Sequence, residues 1–212
     1  MATNKAFKVG IIIGSQRVVR VGPQVANFVL DILKAAEEKA SRDTPRLPVT
    51  FDIIDIKMQN LPFFDEPRIP QQIKSVEEYT NEHTRVWSRR IADLDAFVFV
   101  SAQRNWGIPA ELKNAIDYLF YEWKGKPAMI VTYGGHGGRQ CADHLKTVIG
   151  SIGMHVADKM VGMAFPTSEF RVKCFQGQEL ALDASDDGGP WAAHRSEIIS
   201  AWEELVNKKL VV

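Results

Sequence analysis

Three short stretches of this chain gather the residue types that could hold a charged, flat ligand. The first is GSQRVVRVGPQ, Gly14 to Gln24. It leaves a run of apolar β-branched residues and enters a helical pattern. Backbone N–H groups at such a junction, with the positive end of the helix, form an anion site. Ser15 adds a hydroxyl, and Arg17 and Arg20 add guanidinium groups suited to phosphate. The plainer reading is a solvated connection carrying two surface arginines. The coincidence of Ser, Arg and Gly at one junction favours an anion such as a phosphomonoester. The loop contains neither GKS nor GKT, and it does not match GxGxxG, so it is neither a Walker A loop nor a dinucleotide fingerprint.

The second stretch runs from Ser101 to Leu119, SAQRNWGIPAELKNAIDYL. Its Gln103, Arg104, Asn105 and Trp106 precede a Gly–Ile–Pro turn and a helix start. Amides, a guanidinium and an indole are what a heteroaromatic ring with polar edges requires; a structural turn with Trp106 lying on the surface explains them as well. The third is TYGGHGGRQCA, Thr132 to Ala142, with Gly134, Gly135, Gly137 and Gly138 around His136. Four glycines in five positions let a backbone approach a ligand closely and adopt positive φ. A flexible connection needs fewer. His136 could donate a proton, although a histidine in such a place is more often simply exposed.

The elements that must position these loops alternate along the chain. Phe7–Ile13, Val49–Ile54, Asp95–Ser101, Pro127–Thr132 and Val156–Phe165 are short apolar runs that predict strands. Between them lie helical stripes. Val25, Phe28, Val29, Ile32, Leu33 and Ala36 form the clearest, with Pro23 in the first turn. A second helix is expected over about 76–91, a third after Pro109, a fourth through Cys141–Ile152, and a last one from near Pro190 through Val206. Five strand–helix alternations predict an α/β fold whose parallel sheet is covered on both faces. Right-handed crossovers then put all strand C-termini on one edge, where such folds bind ligands. The three loops follow strands one, three and four and should meet there. The segment from about 167 to 189 has no clear pattern and is expected to be irregular: a hairpin, a lid or a partner-binding arm.

Bulk composition narrows the classes. The chain has 212 residues, 45% hydrophobic and 25% charged, consistent with one domain spanning 1–212. Lys+Arg and Asp+Glu are both 26, so neither a nucleic-acid partner nor a membrane-binding basic patch is expected. Cys141 and Cys174 stand far apart, without metal-ligand spacing, and read as reduced thiols; no metal site is expected. The opening MATNKAFKVGIIIG is too short an apolar run for a membrane helix and lacks a signal-peptide pattern, so the cytoplasm is the expected location.

Taken together, GSQRVVRVGPQVA, NWGIPAELKNAIDYL and KPAMIVTYGGHGG resemble the NADPH-dependent FMN reductase family, which includes quinone and azo reductases. The resemblance spans residues 7 to about 165. It implies a flavodoxin-like three-layer sandwich with a five-stranded parallel sheet of order 2-1-3-4-5. It further implies FMN as cofactor, NADPH or NADH as reductant, and a small-molecule electron acceptor: quinone, azo compound, free flavin or ferric chelate. By the same resemblance Ser15, Arg17, Val21, Gly22 and Gln24 would hold the FMN phosphate. Gln103, Arg104, Asn105 and Trp106 would line the ring, with Gly134, Gly135, His136 and Gly137 beside it. No side chain is singled out as catalytic, because the cofactor carries the chemistry. Family members commonly form homodimers or homotetramers, and Tyr121 and Trp123 are candidate interface aromatics, or else cover the sheet edge.

One departure stands out. Where the family usually has Pro–x–Tyr–Asn, this chain has Ala102–Gln103–Arg104–Asn105. The turn loses a rigid proline and an aromatic face, while gaining a guanidinium that can stack and that can stabilise a reduced, anionic flavin. Two other classes remain open on sequence: a flavodoxin-like electron carrier, and a homologue that has lost its cofactor and serves in binding or regulation.

Overall fold

A computed structural model describes residues 6–43 and 47–210; the residues before Ala6, read above for a leader, lie outside it. The first strand, β1 (Phe7–Ile13), is followed by α1 (Gly22–Asp43), β2 (Val49–Asp55), α2 (Glu82–Ala92) and β3 (Ala96–Ala102). Then come α3 (Ala110–Asp117), β4 (Pro127–Gly134), α4 (Arg139–Ser151), β5 (His155–Val156), β6 (Val161–Ala164), α5 (Ser168–Gln176) and α6 (Arg195–Leu210). All strand pairs are parallel, in the order β2-β1-β3-β4-β5, with β6 also on β4. This is the expected order.

The sheet is apolar throughout because both faces are covered. Every residue of β4 is buried, as are all of β3 but Ala102. On one face, α1 and α6 bury Val25, Phe28, Val29, Ile32 and Leu33 together with Ile198, Trp202 and Leu205 against alternate residues of β1, β3 and β4. The other face packs against Trp87 and Ile91 of α2, Leu112 and Ile116 of α3, and Leu145 and Ile149 of α4. Trp123 belongs to this second layer. It is fully buried, lies 4.9 Å from the Phe97 ring, and donates its Nε1 hydrogen to the Ile116 carbonyl at 3.1 Å. It is therefore core, while Tyr121 stays exposed. No described helix is long and apolar enough to cross a membrane.

Four expectations differ by more than two residues. The single fifth strand is two: β5 pairs with the start of β4 at Pro127 and Ala128, and β6 with its end at Val131–Gly134. Between them, the backbone N–H groups of Asp158 and Lys159 turn out to the Glu204 carboxylate, which interrupts the ladder. The second helix starts at Glu82, because Val76–Glu78 is a separate 3₁₀ turn closed by extended Tyr79. The last helix starts at Arg195; Trp191, at φ 64°, keeps the chain from turning helical at Pro190. Finally, the segment expected to be irregular contains α5.

Both cysteines are free and buried, and burial pushes each thiol up to about 11. Unfolded thiols titrate near 9, so the stability these sites provide is complete below pH 9 and is lost as the pH rises from 9 through 11. The melting temperature should fall between pH 8 and pH 10.5, and Cys141→Ala should reduce that fall. Equal slopes for the two proteins would contradict the assignment.

Candidate functional site

The strand registers bring the loops to one edge. Ile13 lies opposite Val100, Ala102 opposite Tyr133, and Gly134 opposite Ala164, so β1, β3, β4 and β6 end together. Outside these ends is a cavity of about 310 Å³, at the small end of the range typical of ligand sites, about 300–1,000 Å³. Loop one supplies Ser15, Arg17, Val19, Arg20 and Val21; loop two supplies Ala102, Gln103 and Arg104; β4 and loop three supply Tyr133, Gly134 and Gly135. The remaining wall comes from Phe165 and from Arg171, Cys174 and Phe175 of α5.

Four arginines line this space and, among the described residues, no carboxylate does. Two are already paired by residues behind the wall. Arg20 forms a two-point ion pair with Asp55 at the end of β2, with Nη1–Oδ1 at 2.8 Å, and also donates to the Ser15 carbonyl. It therefore shapes loop one. Arg104 donates from Nη2 to Ser15 Oγ at 2.7 Å and pairs through Nη1 with Glu111 Oε1 at 2.8 Å. Glu111, in the first turn of α3, also accepts from the Gln16 N–H at 2.9 Å, so one carboxylate ties loop one to loop two. The Arg104 Nε is buried without a hydrogen-bond partner. Arg17 and Arg171 have no carboxylate partner among the described residues.

Loop two turns back on itself. Arg104 and Gly107 exchange backbone hydrogen bonds at 3.1 and 2.8 Å across Asn105 and Trp106, both at positive φ (44° and 63°). This four-residue turn lifts Trp106 away from the protein. Its indole, 63% exposed, stacks on the His136 ring at 5.8 Å between centroids and 23° between planes. Trp106 and His136 thus join loops two and three at the rim, outside the cavity lining.

The glycines of loop three divide in two. Gly137 and Gly138 have φ of 69° and 77° and serve the protein's own packing. A Cβ on Gly137 would stand 2.8 Å from the Gly162 carbonyl oxygen of β6, and one on Gly138 would stand 2.8 Å from Thr132 Cβ. Gly134 and Gly135 face the cavity, and a Cβ on Gly135 would meet nothing within 4 Å. Gln103 lines the cavity while its Oε1 accepts from the Cys141 N–H at 3.2 Å.

Of the residues expected at the site, the cavity brings together Ser15, Arg17, Val21, Gln103, Arg104, Gly134 and Gly135. Gly22 begins α1 and packs under Ile13 and Tyr133. Gln24 is engaged elsewhere: it donates to the Gln178 carbonyl at 3.0 Å and accepts from the Leu180 N–H at 2.8 Å, fixing the segment after α5. Sequence reasoning missed the α5 wall. A usable signal was present, since Thr167 caps the helix by accepting from the Phe170 N–H at 3.1 Å and Gly177 ends it at φ 65°. No group of three or more His, Cys, Asp or Glu among the described residues could hold a metal.

A parallel sheet of order 2-1-3-4-5 with an anion-favouring cavity across its strand ends defines a flavodoxin-like α/β protein. The chain belongs to the NADPH-dependent FMN reductase family, which it matches over residues 7–166. It is 46% identical over 152 residues to the NAD(P)H-dependent FMN reductase LOT6 of Saccharomyces cerevisiae, covering 71% of this chain and 77% of that protein. It is 42% identical over 198 residues to the NAD(P)H-dependent FMN reductase C4B3.06c of Schizosaccharomyces pombe, covering 93% and 88%. An oxidoreductase from Corynebacterium diphtheriae has the same fold, with a TM-score of 0.62 at 14% identity, covering 95% of this chain and 96% of that one.

Proposed function

We propose that this protein is an FMN-dependent oxidoreductase that passes reducing equivalents from NADPH or NADH to a small acceptor such as a quinone, an azo compound, free flavin or a ferric chelate. The observation that carries this reading is the cavity at the strand ends, with buried Ser15, four arginines and no lining carboxylate among the described residues. The residues present fit FMN. Ser15 and Arg17 suit its phosphate, the open face of Gly135 lets a flat ring approach the backbone, and the buried Arg104 Nε has a hydrogen to give. When bound, FMN supplies a two-electron centre that accepts hydride from a nicotinamide and returns it to an acceptor.

The chain's own part is positioning and electrostatics. Arg20 fixes loop one through the Ser15 carbonyl and Glu111 fixes it through the Gln16 N–H, so that the Ser15 hydroxyl is held at the cavity for the phosphate. Arg104, although its charge is paired with Glu111, keeps an unpartnered Nε–H beside the cavity, a donor that favours an anionic ligand state. Trp106 and His136 form an apolar-faced rim against which an aromatic acceptor can rest. We place the protein in the cytoplasm, where its two thiols stay reduced, and expect it to work as a homodimer or homotetramer, which light scattering decides.

The test is the visible spectrum of purified protein with FMN under anaerobic NADPH. Rapid loss of the oxidised flavin band, restored by a quinone, is the expected result; a bound flavin that NADPH leaves unchanged would make the protein an electron carrier. Arg104→Ala should lower both FMN affinity and the rate of bleaching. If neither changes, the role given to Arg104 is wrong.

A further inference from the structure

The cavity carries more positive charge than loop one explains. Arg20 is neutralised by Asp55 and Arg104 by Glu111, which leaves Arg17 of loop one and Arg171 of α5 as two guanidiniums lining the same cavity with no carboxylate partner among the described residues. A phosphate monoester carries a charge of about −1.5 to −2 near neutral pH, which two such groups match and one does not. Arg171 lies on α5, immediately beyond the residues matched by the family.

The packing of α5 holds the helix, and with it the Arg171 backbone, at the cavity wall. Phe170 is buried against the Trp191 ring at 4.9 Å, and Cys174 is buried beside the cavity. Gly177 approaches loop one so closely that a Cβ there would lie 3.0 Å from Val19 Cγ1 and 3.3 Å from the Arg20 nitrogen. Gln24 of α1 then secures the next turn through Gln178 and Leu180. A helix fixed at both ends keeps the Arg171 backbone at the cavity wall, so binding has only the side chain left to order.

We infer that Arg171 is a phosphate-binding residue: with Arg17 it forms a two-sided clamp for a phosphate monoester dianion, and the ligand it selects is the phosphorylated flavin over the unphosphorylated one. This rests on the flavin reading above. The 2′-phosphate of NADPH has the same chemistry, so the experiment must separate the two sources.

Quenching of flavin fluorescence on titration with the full-length protein gives the affinities for FMN and riboflavin without turnover. Arg171→Ala should weaken FMN binding about tenfold, the effect of losing one charge-assisted contact, and leave riboflavin binding unchanged; Arg171→Lys should recover part of the loss. Equal weakening of both flavins would show that α5 only packs. Unchanged FMN binding would remove the clamp while the flavin reading stands. An altered NADPH over NADH preference with FMN binding intact would assign the clamp to the reductant, against the inference. A wild-type protein that binds neither flavin would overturn the underlying reading itself.

Discussion

Gly137→Ala is expected to cost about 3 kcal/mol of folding stability and to abolish FMN uptake. Two effects add. A side chain at φ 69° sits in the left-handed region, which costs an L-residue about 1–2 kcal/mol. The new Cβ would also lie 2.8 Å from the Gly162 carbonyl oxygen and 2.9 Å from its carbon. Both are backbone atoms of β6, so no side chain can swing away, and overpacking of this kind costs about 1–3 kcal/mol. Relief requires loop three to lift off the sheet, carrying Gly134 and Gly135 out of the cavity wall. Gly135→Ala is the control, since its Cβ would point into open space without positive φ. Urea denaturation should show a lower midpoint for Gly137→Ala only, while both variants should bind FMN less well. Equal stability of the two would mean that the loop is not anchored by its contact with β6.

The second large effect separates two neighbouring arginines that look alike in sequence. Arg20→Ala should destabilise the protein by about 2–3 kcal/mol, below the 3–5 kcal/mol typical of breaking a fully buried pair because some water reaches both side chains. Their side-chain exposures are 12% for Arg20 and 18% for Asp55. The loss has two parts: Asp55 keeps its charge without its partner, and the Ser15 carbonyl loses a donor. Removing the carboxylate as well, in Arg20→Ala/Asp55→Ala, should restore part of the stability. Arg17→Ala, at an exposed side chain with no ion-pair partner among the described residues, should leave the midpoint unchanged and weaken FMN binding. Should Arg17→Ala destabilise and Arg20→Ala not, the roles are reversed.

What the sequence made legible follows from the range of the interactions involved. Strands β1, β3 and β4 are buried on both faces, so their apolar runs are almost unbroken, and α1 carries a full stripe into the core. Those elements were readable, and with them the edge where the loops meet. The helix α5 carried no stripe, because only Phe170 and Cys174, four residues apart, face inward; its signal lay in its caps, Thr167 and Gly177. Arg20 and Gln24 show a different limit. Their types suit a phosphate loop, yet Asp55 lies 35 residues from Arg20 and Leu180 lies 156 from Gln24, and no local pattern announces such partners. Likewise, four glycines suggest a ligand-facing loop, but two of them answer to Gly162 and Thr132, neighbours that only the folded chain brings to them.

Everything proposed here depends on the turns after β1, β3 and β4 forming one seat for FMN. The most direct measurement is a crystal structure of the protein soaked with the nucleotide. The phosphate should lie within hydrogen-bonding distance of Ser15 and Arg17, with the ring between loops two and three. An FMN bound elsewhere, or a cavity kept closed by the Arg104–Ser15 contact at saturating nucleotide, would contradict the account.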